Sequence, residues 1–240
     1  MNEIMRQRFF ITSTGTGIGK SFITAGLVRQ AKALGKSVAA YKPIMTGCTE
    51  GPIEQSDAGI LLQALELPAS FANIERIAPW RFKAPLAPSM AARLEKQSID
   101  FNALVRFGHD AMAETKDVVL IEGVGGVMVP LDDTRTVLDW IEELHIEATL
   151  VTGTYLGALS HTLTALDALQ HRKIPIFAII VNESAESTVA LQATVDELVR
   201  FTHLPIVPVK RRKTGEENIS ELRALIETRP SPLAGEVAKT

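Results

Sequence analysis

The first residues able to do chemistry lie between Phe9 and Ser21. An apolar run, Phe9-Phe10-Ile11, is followed by Gly15, Gly17 and Gly19 at alternate positions and then by Lys20 and Ser21. Glycine lets backbone amides turn toward an anion with no Cβ in the way. A helix-length amphipathic segment, Phe22 to Leu34, comes next, and the N-terminus of such a helix adds partial positive charge. Strand, glycine-rich turn, Lys-Ser and helix together make a phosphate-cradling loop. In it Gly15, Thr16, Gly17, Ile18 and Gly19 surround the phosphates, Lys20 reaches the β- and γ-phosphates, and the Ser21 hydroxyl ligates Mg²⁺. Thr14 stands where the common pattern has a further glycine, so the loop is a variant. The plain alternative is a strand–helix turn that binds nothing.

Further candidates sit where other apolar runs end. Glu122 closes Val118-Val-Leu-Ile121 and precedes Gly123, Gly125 and Gly126. A carboxylate there suits Mg²⁺ ligation, direct or through water, and the glycines clear space beside it; a turn-stabilising acid is the alternative. Lys42 follows Ser37 to Tyr41 and is fixed by Pro43. A positioned ammonium there could neutralise developing charge or hold an anionic substrate; otherwise it is a solvated lysine. Asp57 begins a helical segment, with either Ser56 or Asp57 at its N-cap. Asn182 ends Ile176 to Val181 and either reads a base edge or turns the chain. Cys48 has no clear His partner, which argues against a nucleophile. His161, Trp80 and Trp140 read as packing, interface or surface residues. Lys210-Arg-Arg-Lys213 is a basic run that reads first as a solvated, mobile loop and second as a phosphate contact.

These residues need a scaffold that brings strand ends together. Apolar runs at 37–41, 117–121, 148–152 and 176–181 alternate with helical segments at 57–67, 101–114, 136–144, 158–171 and 187–202, with Asp100 capping the second. Ser89 is expected to cap a helix through Glu95, residues 44–56 and 78–88 to be loops, and 205–207 and 219–227 to add an edge strand and a last helix. Near-continuous apolar strands alternating with helices predict a mostly parallel α/β sheet covered by helices on both faces. Ligands bind such sheets at the carboxyl ends of the strands, where the polar and glycine-rich clusters fall. The 240 residues suit one domain, expected over 1–228 with a loosely ordered tail at 229–240. A net charge of −3 draws the chain to neither nucleic acid nor membrane. A single cysteine and the lack of a secretory or membrane-spanning run suggest a cytoplasmic protein.

Taken together the motifs resemble the dethiobiotin synthetase family, a P-loop-type fold. The likeness runs from Phe9 to about Asn182. It is carried by the loop to Ser21, Tyr41-Lys-Pro-Ile-Met-Thr-Gly47, Ser56-Asp57-Ala58, Ala84-Pro-Leu-Ala-Pro-Ser89, Ile121-Glu-Gly-Val-Gly-Gly126, Pro130-Leu131 with Asp139-Trp140, Gly153 through His161, and Val181-Asn182. The resemblance implies a homodimeric ATP- and Mg²⁺-dependent ligase of biotin synthesis, joining CO₂ to 7,8-diaminononanoate through a carbamate and a carbamic–phosphoric anhydride. It implies Lys20 and Lys42 as catalytic groups, Ser21, Asp57 and Glu122 at the metal, and Asn182 at adenine. It also implies Thr46, Gly125 and Gly126 at the carbamate and diamine, and Tyr155 to Ser160, Leu156 included, at the substrate carboxylate across the dimer interface. The chain departs from the family pattern at Ser13, where glycine is common, at Gly17, where an acid is frequent, and at Ser160, where asparagine is often found.

A different class of reading is a partition- or scaffold-type P-loop ATPase that switches partners. That group carries an extra lysine at the start of its loop, where this chain has Gly15 and Thr16, and it offers no use for Lys42-Pro43. A glutamine amidotransferase-type synthetase would need a second domain with a nucleophilic cysteine.

Overall fold

A computed structural model of the chain describes residues 6–48, 53–185, 187, 189–212 and 219–227. Eight strands are present among these residues. Six form one parallel sheet in the spatial order β2-β5-β1-β6-β7-β8, from β1 (Gln7–Ser13), β2 (Val38–Tyr41), β5 (Val118–Glu122), β6 (Glu147–Thr152), β7 (Ile176–Asn182) and β8 (Ile206–Val209). The other two, β3 (Ile44–Met45) and β4 (Trp80–Arg81), pair in parallel as a separate ribbon. Nine α-helices lie among the described residues: α1 (Lys20–Ala33), α2 (Asp57–Leu65), α3 (Phe71–Ile77), α4 (Pro88–Leu94), α5 (Phe101–Ala113), α6 (Val137–Leu144), α7 (Ala158–His171), α8 (Leu191–Leu198) and α9 (Arg223–Glu227).

The apolar runs explain the layering. All five residues of β5 are buried, and alternate residues of a strand face opposite sides of the sheet, so both faces are covered. Helix α1 packs against both α2 and α9, α5 against α6 and α7 against α8. Trp140 is fully buried, its ring edge-on to Phe10 at 4.8 Å between centroids, which makes it a core residue.

Strand order places the site. The chain passes from β1 outward through β2 and β5 on one side, then returns to β6 on the other. The crevice at the carboxyl end of β1 is therefore a topological switch point. Register brings the chemistry there: Ile11 lies beside Glu122 and Tyr41 beside Ile121.

Several local expectations change. Residues 44–56 are not all loop, because Ile44–Met45 pairs with Trp80–Arg81; two-residue strands carry no periodic signal. Helix α4 starts at Pro88 with Ala87 at its N-cap, rather than at a Ser89 cap. Proline at the first helical position forfeits only an amide that has no intrahelical partner. Helix α3, capped by Ser70, was not foreseen. Helix α8 is shorter than 187–202, and 219–227 divides into a 3₁₀ turn, Ser220–Leu222, and α9. The expected tail at 229–240 lies outside the described residues, as do Thr49 and Lys213.

Candidate functional site

The site is built on two glycine turns that touch. The first joins β1 to α1. Gly19 caps α1 with φ +92°, and a Cβ there would stand 2.3 Å from Asn182 Nδ2; only glycine fits both constraints. The second follows β5. A Cβ on Gly126 would come within 3.1 Å of the Thr14 carbonyl and 3.2 Å of the Gly15 amide nitrogen, so glycine is what lets the turns approach.

Lys20 bridges the turns. Its Nζ donates to the Gly125 carbonyl at 2.8 Å, the Ser13 hydroxyl at 3.0 Å and the Gly15 carbonyl at 3.2 Å. Burial, helped by the nearby Lys42 charge, lowers its pKa to about 8, against the pull of Glu122 and Asp57.

Lys42, at the end of β2, is buried with Glu122. Its Nζ donates to Glu122 Oε1 at 2.8 Å and to the Gly123 carbonyl at 2.6 Å, and lies 3.6 Å from Asp57 Oδ2. Burial opposes the charge, but the Glu122 and Asp57 carboxylates outweigh it and hold the ammonium above the ordinary lysine range. The solvated-lysine alternative therefore does not apply. Pro43 cannot continue a hydrogen-bonded strand, and the Lys42 amide bonds to the Ile77 carbonyl at 3.0 Å, so the backbone that carries the ammonium is pinned.

Ser21, in the first turn of α1, donates through Oγ to the same Glu122 Oε1 at 2.7 Å. Glu122 Oε2 is buried and has no hydrogen-bond partner, a costly arrangement for a carboxylate oxygen. Asp57 is not spent on capping α2, because the Ser56 hydroxyl accepts the Gly59 amide instead at 3.1 Å. Its half-exposed carboxylate is free to face the cavity. Among the described residues no group of three or more His, Cys, Asp or Glu forms a cage for a metal. Two carboxylates and a hydroxyl are instead the partial oxygen shell that Mg²⁺ takes beside substrate phosphates, and the orphaned Oε2 fits a cation placed there.

These groups line one cavity of about 690 Å³. Thr16, Gly17, Gly19, Lys20, Ser21, Lys42, Thr46, Asp57, Glu122 and Gly125 are all on its wall. Sequence reasoning gave no role to Met45, Ile60, Leu86, Val124 or Val129, which supply its apolar wall. Met45, Leu86 and Val124 fall within quoted motifs but carry no role there; apolar lining leaves no spacing signature.

Other expected residues lie elsewhere. Asn182 donates through Nδ2 to the Ile18 carbonyl at 2.9 Å, so part of its amide is committed to the phosphate loop. With Gly17, Ile18, Gly19, Glu183, Ser184, Arg211 and Arg212 it lines a separate cleft of about 320 Å³. Arg212 is not a solvated side chain: it is half-buried, and its Nη2 donates to both Glu221 carboxylate oxygens at 2.6 and 2.7 Å. The Arg211 amide donates to Glu183 Oε2 at 2.9 Å. Tyr155, Leu156 and Ser160 are not on the main cavity wall. The Tyr155 hydroxyl meets His161 Nδ1 at 2.9 Å and Thr14 Oγ1 at 3.3 Å, while Leu156 is 86% exposed. Gly126 lines a shallower groove with Thr14, Gly15 and His161. Burial pushes the Cys48 thiol up, away from a reactive thiolate.

Comparison with known proteins shows the family. A family model described as an AAA domain matches residues 7–210. The chain is 43% identical to the ATP-dependent dethiobiotin synthetase BioD of Acidiphilium cryptum, over 83% of this chain and 89% of that one. It is 33% identical to the protein of the same name in Thermodesulfovibrio yellowstonii, over 92% and 99%. The chain belongs to the dethiobiotin synthetase family. Among solved structures it is similar to the septum site-determining protein MinD of Pyrococcus horikoshii in complex with Mg-ADP, with TM-score 0.54, 16% identity and 92% and 95% of the two chains covered. It is also similar to a ParA family ATPase from Chlorobium tepidum, with TM-score 0.51, 17% identity and 94% of each chain covered. At those identities the likeness is one of fold. Within a synthetase family, the buried Lys42–Glu122 pair is a feature that a phosphate loop alone does not require. No helix among the described residues is long and apolar enough to cross a membrane.

Proposed function

We propose that this synthetase uses MgATP to join CO₂ to 7,8-diaminononanoate and close the ring to dethiobiotin, releasing ADP and phosphate. The observation that carries the reading is the pair of buried ammonium groups, Lys20 and Lys42, on the wall of one cavity with Ser21, Asp57 and Glu122.

The reaction develops negative charge twice, and the lysines suit both places. One substrate amine captures CO₂ as a carbamate, which Lys42 holds by its positive charge while Thr46 and the backbone around Gly125 and Gly126 orient the diamine. The carbamate oxygen attacks the γ-phosphorus and ADP leaves, giving a carbamic–phosphoric anhydride; Lys20 faces the charge that grows on the phosphates. The second amine then attacks the carbamoyl carbon, closes the cyclic urea and expels phosphate. Ser21, Asp57 and Glu122 are the residues to hold Mg²⁺, whose contribution there is charge neutralisation across phosphate oxygens. Lys42 remains the ammonium of the site because Glu122 and Asp57 keep it protonated.

The nucleotide base falls in the cleft at Asn182. The segment from Tyr155 to Ser160 serves the second copy in a homodimer, holding the substrate carboxylate across the interface. Its exposed Leu156 and Ser160, lying off this chain's own cavity wall, support that role. A cytoplasmic location accords with this chemistry.

The decisive measurement is ADP release by the purified protein with diaminononanoate, bicarbonate and MgATP, together and with each omitted in turn. Release that needs all three is the expected result. ADP release at the same rate without diaminononanoate would point instead to a switch-type ATPase.

A further inference from the structure

Ser13 departs from the family pattern, and the site has a use for it. The residue ends β1 and is fully buried. Its Oγ sits 2.6 Å from the Gly15 carbonyl and 3.0 Å from the Gly125 carbonyl, to which it can donate. It accepts from Lys20 Nζ at 3.0 Å and from the Gly15 amide at 3.3 Å. One hydroxyl therefore touches the lysine and both glycine turns.

An ammonium has three N–H groups and no acceptor. Lys20 faces three protein acceptors, the Ser13 hydroxyl and the Gly15 and Gly125 carbonyls, so its donor capacity is fully matched by protein in this geometry. A lysine that bridges the β- and γ-phosphates needs at least two of those donors. It must then release at least two of its three protein partners. A glycine at position 13 would present two competing acceptors; this chain presents three.

We propose that Ser13 is a positioning residue that holds Lys20 at a resting station between the two glycine turns and thereby sets the affinity for nucleoside triphosphate. The hydroxyl stabilises the empty loop and competes with phosphate for the lysine. Removing it weakens the nucleotide-free state and strengthens binding by the same amount, because the bound state no longer contains that bond. The inference rests on the triphosphate-binding part of the function proposed above, and not on the carboxylation chemistry.

The test is calorimetric binding of the non-hydrolysable triphosphate AMP-PNP, with Mg²⁺, to the full chain and to Ser13→Ala and Ser13→Gly. The expected result is Kd lower by about tenfold in both variants, the lower end of the worth of one hydrogen bond from a charged donor. Thermal melting supplies the readout that a merely structural role would not reproduce. Without nucleotide Ser13→Ala should melt about 3–6 °C below the parent, and with saturating AMP-PNP the two should melt together; Ser13→Gly keeps the added backbone-entropy cost of a strand glycine in both states. Unchanged or weaker binding in both variants overturns the proposal, as does a melting deficit of Ser13→Ala that persists at saturation. If the parent itself fails to bind AMP-PNP, the triphosphate reading falls, and the role of Ser13 falls with it.

Discussion

The cavity around Lys20 and Lys42, proposed above for the triphosphate, and the cleft at Asn182, proposed for the base, are built differently. At the first, Lys20, Lys42, Ser21 and Glu122 are all buried, and each meets another protein group at 2.6–3.2 Å. At the second, Lys210 and Arg211 are exposed, Asn182 and Glu183 are half-buried, and the contacts run mainly between loop backbone and side chain. Charge that must act on a transition state is worth most when preorganised away from water. Recognition of a flat base needs shape and a few hydrogen bonds, which a partly open cleft can provide. Under the proposed function, this division would put catalytic power in the buried charge around β1, β2 and β5 and leave the β7–β8 end to set affinity.

The largest expected effect comes from Lys42. Lys42→Ala removes the ammonium that pairs with Glu122 and leaves that carboxylate buried and uncompensated, a loss of about 3–5 kcal/mol of stability. Dethiobiotin formation should fall by about 10³-fold, and the melting temperature should drop with it. The pair Lys42→Met with Glu122→Gln separates the two losses: stability should return while turnover stays low. Turnover restored in the double variant would mean that Lys42 serves the fold and not the chemistry.

Glu122→Gln alone tests the metal shell. The Mg²⁺ concentration for half-maximal rate should rise by at least about tenfold, read from a Mg²⁺ titration at saturating ATP. A titration identical to the parent's would remove Glu122 from the shell and with it the meaning given to its orphaned oxygen.

The smallest effect belongs to the base end. Arg212→Ala breaks a half-exposed pair with Glu221, and such pairs contribute about 0.2–1 kcal/mol. The rate at saturating ATP should hold, and kcat/KM for ATP should change by no more than about threefold. A loss approaching that of Lys42→Ala would erase the distinction between the two ends.

How far the site could be read in advance follows the same division. Lys20 and Ser21 were legible because the spacing of a glycine turn and the start of a helix is local. Glu122 was legible because an acid ending an all-apolar strand has few structural reasons to be there. Lys42 left two readings open, since nothing local distinguishes a buried lysine from a solvated one. Asp57 stayed open as a possible cap until Ser56 was seen to take that job. Arg212 reads as solvated from sequence because four adjacent cations look like a solvated run, and nothing local points to its partner Glu221, 9 residues on. The β3–β4 ribbon was missed, as a two-residue strand is defined by its partner alone.

Sequence by itself determined the parallel α/β architecture, the phosphate loop and the family, because apolar periodicity, glycine spacing and short motifs act over a few residues. Tertiary structure alone decided that Ser21 and Lys42 share one oxygen of Glu122 and that its second oxygen is left without a partner. It alone brought the hydroxyl of Ser13 against Lys20 and the Gly125 turn. Those relations join β1, β2, α1 and β5 over separations of up to 112 residues. They exist only because strand order sets β5 between β1 and β2, and no local pattern encodes which strands become neighbours.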